Sequence, residues 1–246
     1  MSRRLILNIF RHCPSDPDSR PRMQAYELTE TARLNLFLAL TQIREEQDPT
    51  LNFDFCCRAG ICGSCGMVIN GRPGLACRTQ TSTLPERITL HPLPVFRLLG
   101  DLSVDTGVWF RSVGRRIESW IHTDKEFDPQ AEEERMENTL ANAIFELERC
   151  VECGCCIAAC GTARMREDFM GATSVNRLAR FRLDPRDKRG PEEYYELIGD
   201  DSGIFGCMGL LACEDVCPKQ IPLQDQLGIM RRMAALRSVR GLLPKR

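Results

Sequence analysis

The stretch CVECGCCIAAC at residues 150–160 contains five of the fourteen cysteines of the 246-residue chain. Four of them, Cys150, Cys153, Cys156 and Cys160, have the spacing C-x2-C-x2-C-x3-C. This spacing is typical of [4Fe–4S] binding, in which the first three thiolates hold one cluster and the fourth ligates another. The stretch therefore predicts a second, complementary cysteine run elsewhere in the chain.

That second run lies near the carboxyl terminus. It comprises Cys207, Cys213 and Cys217 at the spacing C-x5-C-x3-C, and Pro218 follows directly. When the two runs are aligned, Leu210 occupies the position of the middle cysteine. Because a leucine side chain has no atom that binds iron, the second run supplies one ligand fewer than the first.

The number of ligands predicts two different clusters. Four thiolates suffice for a [4Fe–4S] cluster and come from Cys150, Cys153, Cys156 and the returning Cys217. Three thiolates remain for a [3Fe–4S] cluster, namely Cys160, Cys207 and Cys213. Cys155 is out of register and is predicted to be unligated.

A structural zinc site is the alternative interpretation of these cysteines, because C-x2-C pairs also bind zinc. Two interleaved runs that end in Cys-Pro fit zinc poorly, so iron–sulfur binding is favoured.

A third set of cysteines lies in the amino-terminal half. Cys57, Cys62 and Cys65 have the C-x4-C-x2-C spacing of plant-type [2Fe–2S] sites, and Cys77 is predicted to return as the fourth ligand. The alternative is a glycine-rich turn with structural thiols. The loop contains three glycines, Gly60, Gly63 and Gly66. They allow a tight turn and a close approach of backbone N–H groups to sulfur.

Two other cysteines in this half are predicted to have no cofactor role. On an extended backbone the side chain of Cys56 points away from that of Cys57, which predicts a core position for Cys56. Cys13 is isolated in the sequence.

The composition is that of a globular protein, with 43% hydrophobic and 27% charged residues. A net charge of −1 gives no indication of nucleic-acid binding. Cysteines clustered at metal-ligand spacings indicate a reducing compartment rather than a disulfide framework. The apolar run before Arg11 is too short for a signal peptide, and no stretch is long enough to span a bilayer. The three histidines form no cluster in the sequence and are predicted to be ordinary surface or packing residues.

Hydrophobic patterning predicts a sheet in the first half of the chain. Alternation predicts strands over 5–10 and 24–28, and a helix with an N-cap at Thr31 follows. Further strands are predicted at 67–69 and 88–90. This order resembles the start of a β-grasp fold, and the domain is predicted to cover residues 1–105.

Residues 106–246 are predicted to form a helical domain. The predicted helices cover 108–121, 130–137, 140–147, 174–181, 192–198 and 223–239. Core packing is favoured for Trp109 and Trp120. Beyond Ile229 the charged residues are all basic, which predicts either attraction to an anionic partner or a solvated helix face.

The sequence resembles the iron–sulfur subunits of the succinate dehydrogenase and fumarate reductase (complex II) family over essentially its whole length. The motifs that carry the resemblance are CRAGICGSCGMVINGRPGLAC (57–77), DLSVDTGVWF (101–110), CVECGCCIAACGT (150–162) and GCMGLLACEDVCPK (206–219). Within the family it is most similar to fumarate reductases of dihaem-type anaerobic bacteria.

The resemblance implies an α+β fold, with an amino-terminal β-grasp domain of plant-type [2Fe–2S] ferredoxin and a carboxyl-terminal helical domain of bacterial-ferredoxin type. It implies the same three ligand sets as the spacing. The implied function is to relay single electrons between a membrane-spanning cytochrome b subunit and an FAD flavoprotein that interconverts fumarate and succinate. The chain would lie at the cytoplasmic side of the bacterial inner membrane.

One departure from the family concerns the quinone. Ubiquinone-linked members tend to have a proline and a nearby tryptophan after the last cysteine of the first run. Here Cys160 is followed by Gly-Thr-Ala-Arg-Met, and no tryptophan follows Trp120. This favours menaquinone, with the dihaem membrane subunit carrying out the quinone chemistry. A relay for another reductase, such as a heterodisulfide reductase, and a zinc-stabilised assembly module are the alternatives.

Overall fold

The first strand shows how the alternating sequence pattern forms the amino-terminal core. Leu5, Leu7 and Ile9 lie on one face of β1 (Arg4–Arg11) and are fully buried. A computed structural model describes residues 3–126, 128–130, 132 and 135–242 of the chain.

A five-stranded mixed sheet surrounds this core. Its strands have the order β2-β1-β5-β3-β4, in which β1 and β5 are parallel and the other neighbours are antiparallel. The remaining strands of this sheet are β2 (Arg22–Thr29), β3 (Gly66–Ile69), β4 (Arg72–Leu75) and β5 (Arg87–His91). The predicted strands are confirmed, and β4 is the predicted return strand that brings the chain to Cys77.

Helix α1 (Leu36–Glu46) is the predicted helix, and its buried apolar face includes Leu36, Phe37, Leu40 and Ile43. The predicted N-cap at Thr31 is wrong. Asn35 caps the helix, because its side-chain oxygen accepts a hydrogen bond of 2.9 Å from the backbone N–H of Leu38.

Beyond β5 the chain forms a hairpin of β6 (Arg97–Gly100) and β7 (Ser103–Asp105), which the sequence pattern did not reveal. Leu102, at its turn, is buried in the amino-terminal core. Leu93 and Phe96, just before it, are buried in the second core. The hairpin region therefore contributes to both cores.

Residues described after Asp105 form helices and no strands, which confirms the α+β fold class. The helices are α2 (Gly107–Arg116), α3 (Asn138–Glu148), α4 (Cys155–Ala158), α5 (Gly161–Met165), α6 (Gly171–Leu183), α7 (Pro191–Ile198), α8 (Ala212–Asp215) and α9 (Leu223–Leu242). Helix α6 is central, since it packs against α3, α4 and α9.

Helix α2 ends five residues earlier than predicted. The buried guanidinium of Arg189 donates to the carbonyl oxygens of Ile117 and Trp120, at 3.2 and 3.1 Å. These contacts hold the chain in a non-helical turn in which Glu118 has a positive φ of 48°. Trp120 is consequently 56% exposed and stacks on His122, so its predicted core position is wrong. Trp109 does pack against the helical core.

The described part of the predicted acidic helix at 130–137 is not helical. Ala131, Glu133 and Glu134 lie outside the described residues. Glu137 instead caps α3, because its carboxylate accepts a hydrogen bond of 2.9 Å from the backbone N–H of Leu140. The prediction for the basic side chains at Arg240, Lys245 and Arg246 also falls outside what the structure describes.

A buried charged network anchors the end of β1. Arg11 is 5% exposed, and its guanidinium donates to the carboxylate of Asp48 and to the hydroxyl of Tyr26. It also donates to Thr50 at 2.8 Å, and its Nε lies 3.1 Å from Asp101. The negative charges of Asp48 and Asp101 are thus both compensated by the guanidinium of Arg11.

We expect Arg11→Met to destabilise the protein by about 3–5 kcal/mol, because it leaves the carboxylates of Asp48 and Asp101 without their counter-charge. The exposed pair of Arg4 and Glu27 provides the matched control. Arg4→Met should have a much smaller effect on stability, because solvent screens the exposed ion pair. Thermal denaturation of both variants measures the difference, and equal effects would contradict the expectation.

Candidate metal centres

The first cysteine loop lies between α1 and β3 and directs backbone N–H groups at one sulfur. Ala59, Ile61 and Cys62 donate backbone hydrogen bonds to Cys57 Sγ at 3.4, 3.2 and 3.3 Å. These donors lower the pKa of Cys57 to about 6, because they stabilise its thiolate. The loop is thus arranged to hold the anionic form that binds metal.

Cys65 and Cys77 lie at the two ends of the β3-β4 hairpin and are both buried. The turn of this hairpin is formed by Asn70 and Gly71, which have positive φ values of 48° and 83°. The backbone N–H of Cys77 lies 3.5 Å from Cys65 Sγ. Burial raises the pKa of Cys65 to about 12, so this thiol needs a positive partner to ionise.

The predicted core position of Cys56 is wrong, because the residue is exposed. The prediction assumed an extended backbone, whereas the chain bends at Cys56 and Arg58 has a positive φ of 57°. Cys13 is also exposed, and its Sγ lies 3.1 Å from Ser15 Oγ.

In the helical half, four predicted ligands line one small cavity between α4, α6 and the segment after α8. These four are Cys150, Cys153, Cys156 and Cys217. Burial raises the pKa of Cys150 to about 12, and the neighbouring Cys153 and Cys217 raise it further. The structure therefore brings the returning Cys217 to the first run, although it lies 57 positions after Cys160 in the sequence.

A second cavity is lined by the other three predicted ligands. They are Cys160, Cys207 and Cys213, and Leu210 lines the same cavity. Burial raises the pKa of Cys213 to about 11, with a further contribution from the other two sulfurs.

The two runs have the same local backbone geometry. Gly154 has a φ of +79° immediately before α4, and Leu211 has a φ of +64° immediately before α8. When Gly154 is aligned with Leu211, Leu210 corresponds to Cys153. The side chain of Leu210 is 65% exposed at the rim of the second cavity.

Cys155 is fully buried and does not line either cavity. Its thiol donates a hydrogen bond to Cys153, which lowers the pKa of Cys153 to about 7. This position fits the prediction that Cys155 is unligated.

Sequence reasoning missed two polar side chains beside these cysteines. Thr173 Oγ1 lies 2.9 Å from Cys156 Sγ, and Gln224 Nε2 lies 3.2 Å from Cys213 Sγ. Neither residue belongs to a cysteine motif, so the spacing carried no signal for them.

The thiols of the helical half lie around two cavities, four at the first and three at the second. All fourteen cysteines are free of disulfide bonds. Among the described residues, no three His, Cys, Asp or Glu side chains converge closely enough to hold one metal ion.

The first loop packs directly on the [4Fe–4S]-type run. A methyl group at Gly63 would lie 2.7 Å from the carbonyl oxygen of Val151 and 2.9 Å from Cys153 Cα. At Gly66 it would lie 3.0 Å from the carbonyl oxygen of Cys153. Only glycine allows this close contact between the two cysteine loops.

The fold and the cysteine sets define an iron–sulfur protein with one ferredoxin-type and one dicluster region. Residues 6–111 match the family model described as a 2Fe-2S iron-sulfur cluster binding domain, and residues 146–221 match the 4Fe-4S dicluster domain.

Comparison with curated proteins gives the family. The chain is 58% identical to the fumarate reductase iron-sulfur subunit of Wolinella succinogenes, over 94% of this chain and 98% of that protein. It is 30% identical to the succinate dehydrogenase iron-sulfur subunit of Bacillus subtilis, over 91% and 90% of the two chains. The chain belongs to the family of iron–sulfur subunits of succinate dehydrogenases and fumarate reductases. It is thus an electron-transfer subunit of an oxidoreductase, and the predicted cofactors [2Fe–2S], [4Fe–4S] and [3Fe–4S] are those of this family.

A solved structure agrees with this assignment. A chain of the Mycobacterium smegmatis Sdh1 complex superposes with a TM-score of 0.86 at 27% identity, covering 96% of this chain and 98% of that chain. None of the described helices combines the length and the hydrophobicity needed to cross a lipid bilayer.

Proposed function

We propose that the eleven predicted cysteines hold three clusters in one chain. The [2Fe–2S] ligands are Cys57, Cys62, Cys65 and Cys77. The [4Fe–4S] ligands are Cys150, Cys153, Cys156 and Cys217. The [3Fe–4S] ligands are Cys160, Cys207 and Cys213. The shared cavities, the repeated turn before α4 and α8, and the position of Leu210 support this assignment.

The proposed function is a relay of single electrons in a membrane-bound fumarate reductase or succinate dehydrogenase. When bound, the clusters supply the one-electron chemistry. The observation that carries the proposal is the contact of Gly63 with the backbone of Val151 and Cys153, which joins the first site to the second. Cys160 and Cys217 connect the second and third sites. Each is the last cysteine of one run and lines the cavity of the other run.

The first and third cluster sites each lie beside an exposed apolar side chain that could contact a partner subunit. Ile61 is 66% exposed on the first loop, and Leu210 is exposed beside the third site. We assign the first end to an FAD flavoprotein that interconverts fumarate and succinate. We assign the other end to a membrane subunit of dihaem cytochrome b type that uses menaquinone. Similarity to the Wolinella succinogenes subunit and to a chain of the Sdh1 complex supports this arrangement.

The proposed location is peripheral, at the cytoplasmic side of the bacterial inner membrane, where a membrane subunit holds the chain. The proposed domains are residues 1–105 and 106–246. Two separate hydrophobic cores support this division, and the two family models match on either side of residues 112–145.

Purification of the chain with its partner subunits tests the function. The complex should contain about nine irons per copy of this chain, apart from haem, and should show all three cluster signals by EPR. Quinol should reduce the clusters, and fumarate should reoxidise them. A complex in which quinol and fumarate leave the EPR signals unchanged would overturn the relay.

We expect Cys57→Ser to remove the [2Fe–2S] signal, because the sulfur that receives three backbone hydrogen bonds is lost. Cys56→Ser is the matched control, since Cys56 is adjacent but exposed at a bend. This variant should keep the signal and the iron content. Loss of the signal in both variants, or only in Cys56→Ser, would contradict the ligand assignment.

A further inference from the structure

Two side chains outside the cysteine runs each contact one ligand sulfur. We propose that Thr173 and Gln224 are positioning residues that raise the reduction potentials of the [4Fe–4S] and [3Fe–4S] clusters, respectively. Thr173 contacts Cys156 at 2.9 Å, and Gln224 contacts Cys213 at 3.2 Å. The inference rests on the proposed ligand sets and adds the control of their potentials.

The hydroxyl of Thr173 must be the donor in its contact. A cysteine that ligates iron is a thiolate and carries no proton, so Cys156 Sγ only accepts hydrogen bonds. Thr173 is 4% exposed on α6 and lines the same cavity as the four [4Fe–4S] ligands. Water therefore does not readily replace this donor.

Gln224 lies in the first turn of α9, and its backbone is fixed next to Cys213. The backbone N–H of Gln224 donates a hydrogen bond of 2.7 Å to the carboxylate of Glu214, the residue after Cys213. The side-chain Nε2 then reaches Cys213 Sγ from within the second cavity. A thiolate accepts from the N–H of the amide and repels its oxygen, so this orientation is the favourable one.

Both contacts change the reduction potential of a cluster because they stabilise negative charge on a ligand sulfur. Reduction adds one electron to a cluster, and the thiolate sulfurs share the added negative charge. A hydrogen bond to a ligand sulfur stabilises that charge and favours the reduced state. Removing the donor should lower the potential of the cluster that it contacts and leave the other cluster unchanged.

The test uses the purified complex and the variants Thr173→Val and Gln224→Leu, which remove the donors at similar volume. EPR-monitored redox titrations follow each cluster separately. We expect a tenfold lower ratio of reduced to oxidised cluster at a fixed potential, which is about 59 mV for one electron. Thr173→Val should shift only the [4Fe–4S] cluster, and Gln224→Leu only the [3Fe–4S] cluster.

Four further variants separate hydrogen bonding from packing. Thr173→Ser keeps a hydroxyl and should restore the wild-type potential. Gln224→Glu adds a negative charge and should lower the potential more than leucine does. Ser174→Ala and Gln226→Leu remove polar groups from the same helices without a sulfur contact, since Ser174 donates to the carbonyl of Met170. Both should leave all potentials unchanged.

The outcomes distinguish this inference from the proposed function. Unchanged potentials in variants that retain their cluster signals would overturn the inference alone. Absence of the dicluster signals from the wild-type complex would overturn the ligand assignment. If Thr173→Val or Gln224→Leu loses its cluster, Thr173→Ala or Gln224→Met replaces it in the titration. A lower potential of the contacted cluster supports the inference, and an unchanged potential overturns it.

Discussion

Leu210→Cys should convert the [3Fe–4S] site into a [4Fe–4S] site. Leu210 lies at the rim of the cavity formed with Cys160, Cys207 and Cys213, at the position that Cys153 occupies in the first run. A fourth thiolate there completes the ligand set for a cubane. The EPR signal of the oxidised [3Fe–4S] cluster should disappear, and the iron content should rise by about one per chain.

The conversion should also change function. An additional thiolate increases the negative charge around the cluster, which lowers its potential. Electron transfer at this end of the relay should therefore slow, while the [2Fe–2S] signal remains unchanged. Turnover with quinol and fumarate measures this effect.

Leu211→Cys is the matched control for the conversion. Leu211 is adjacent, is also exposed and lines the same cavity, but it corresponds to Gly154 rather than to a ligand. This variant should retain the [3Fe–4S] signal. An unchanged oxidised signal in Leu210→Cys, or conversion in the control, would show that the alignment of the two runs is wrong.

Gly63→Ala should separate the cysteine loop at residues 57–65 from the cysteine run at residues 150–160. The added methyl group would lie 2.7 Å from the carbonyl oxygen of Val151, and the φ of Gly63 is +77°. The positive φ costs about 1–2 kcal/mol for a residue with a Cβ. Overpacking against the backbone adds about 1–3 kcal/mol. Electron transfer from the [2Fe–2S] centre into the dicluster region should slow, as freeze-quench EPR measures.

Gly71→Ala separates backbone strain from the loop contact. Gly71 has a φ of +83° in the β3-β4 turn, and nothing lies within 4 Å of a methyl group built there. This variant should show only the cost of the positive φ and should keep normal electron transfer. Equal effects of the two alanines would show that the contact between the loops does not control the transfer.

The ligand candidates were predictable because their signal is local. Most thiolates that share a cluster lie at short intervals on one turn, and such intervals are visible in Cys57 to Cys65 and Cys150 to Cys160. The β-sheet pattern was visible for the same reason, since burial of one face imposes alternation on β1. The sequence family followed from the same motifs.

Local patterns failed where distant residues determined the conformation. Trp120 continues a helical pattern, but Arg189 binds the carbonyl oxygens at this turn and leaves the indole exposed. Cys56 was expected in the core, but the cysteine loop bends at that residue.

The sequence alone determined which thiols are candidate ligands and predicted their division among three sites, because the cysteines of one run are closely spaced along the chain. The tertiary structure alone decided which other groups contact those sulfurs and which loops touch. Thr173, Gln224 and the contact of Gly63 with Val151 depend on how helices and loops from distant segments pack. Packing between distant segments leaves no periodic trace in a single sequence, so only the folded chain reveals these contacts.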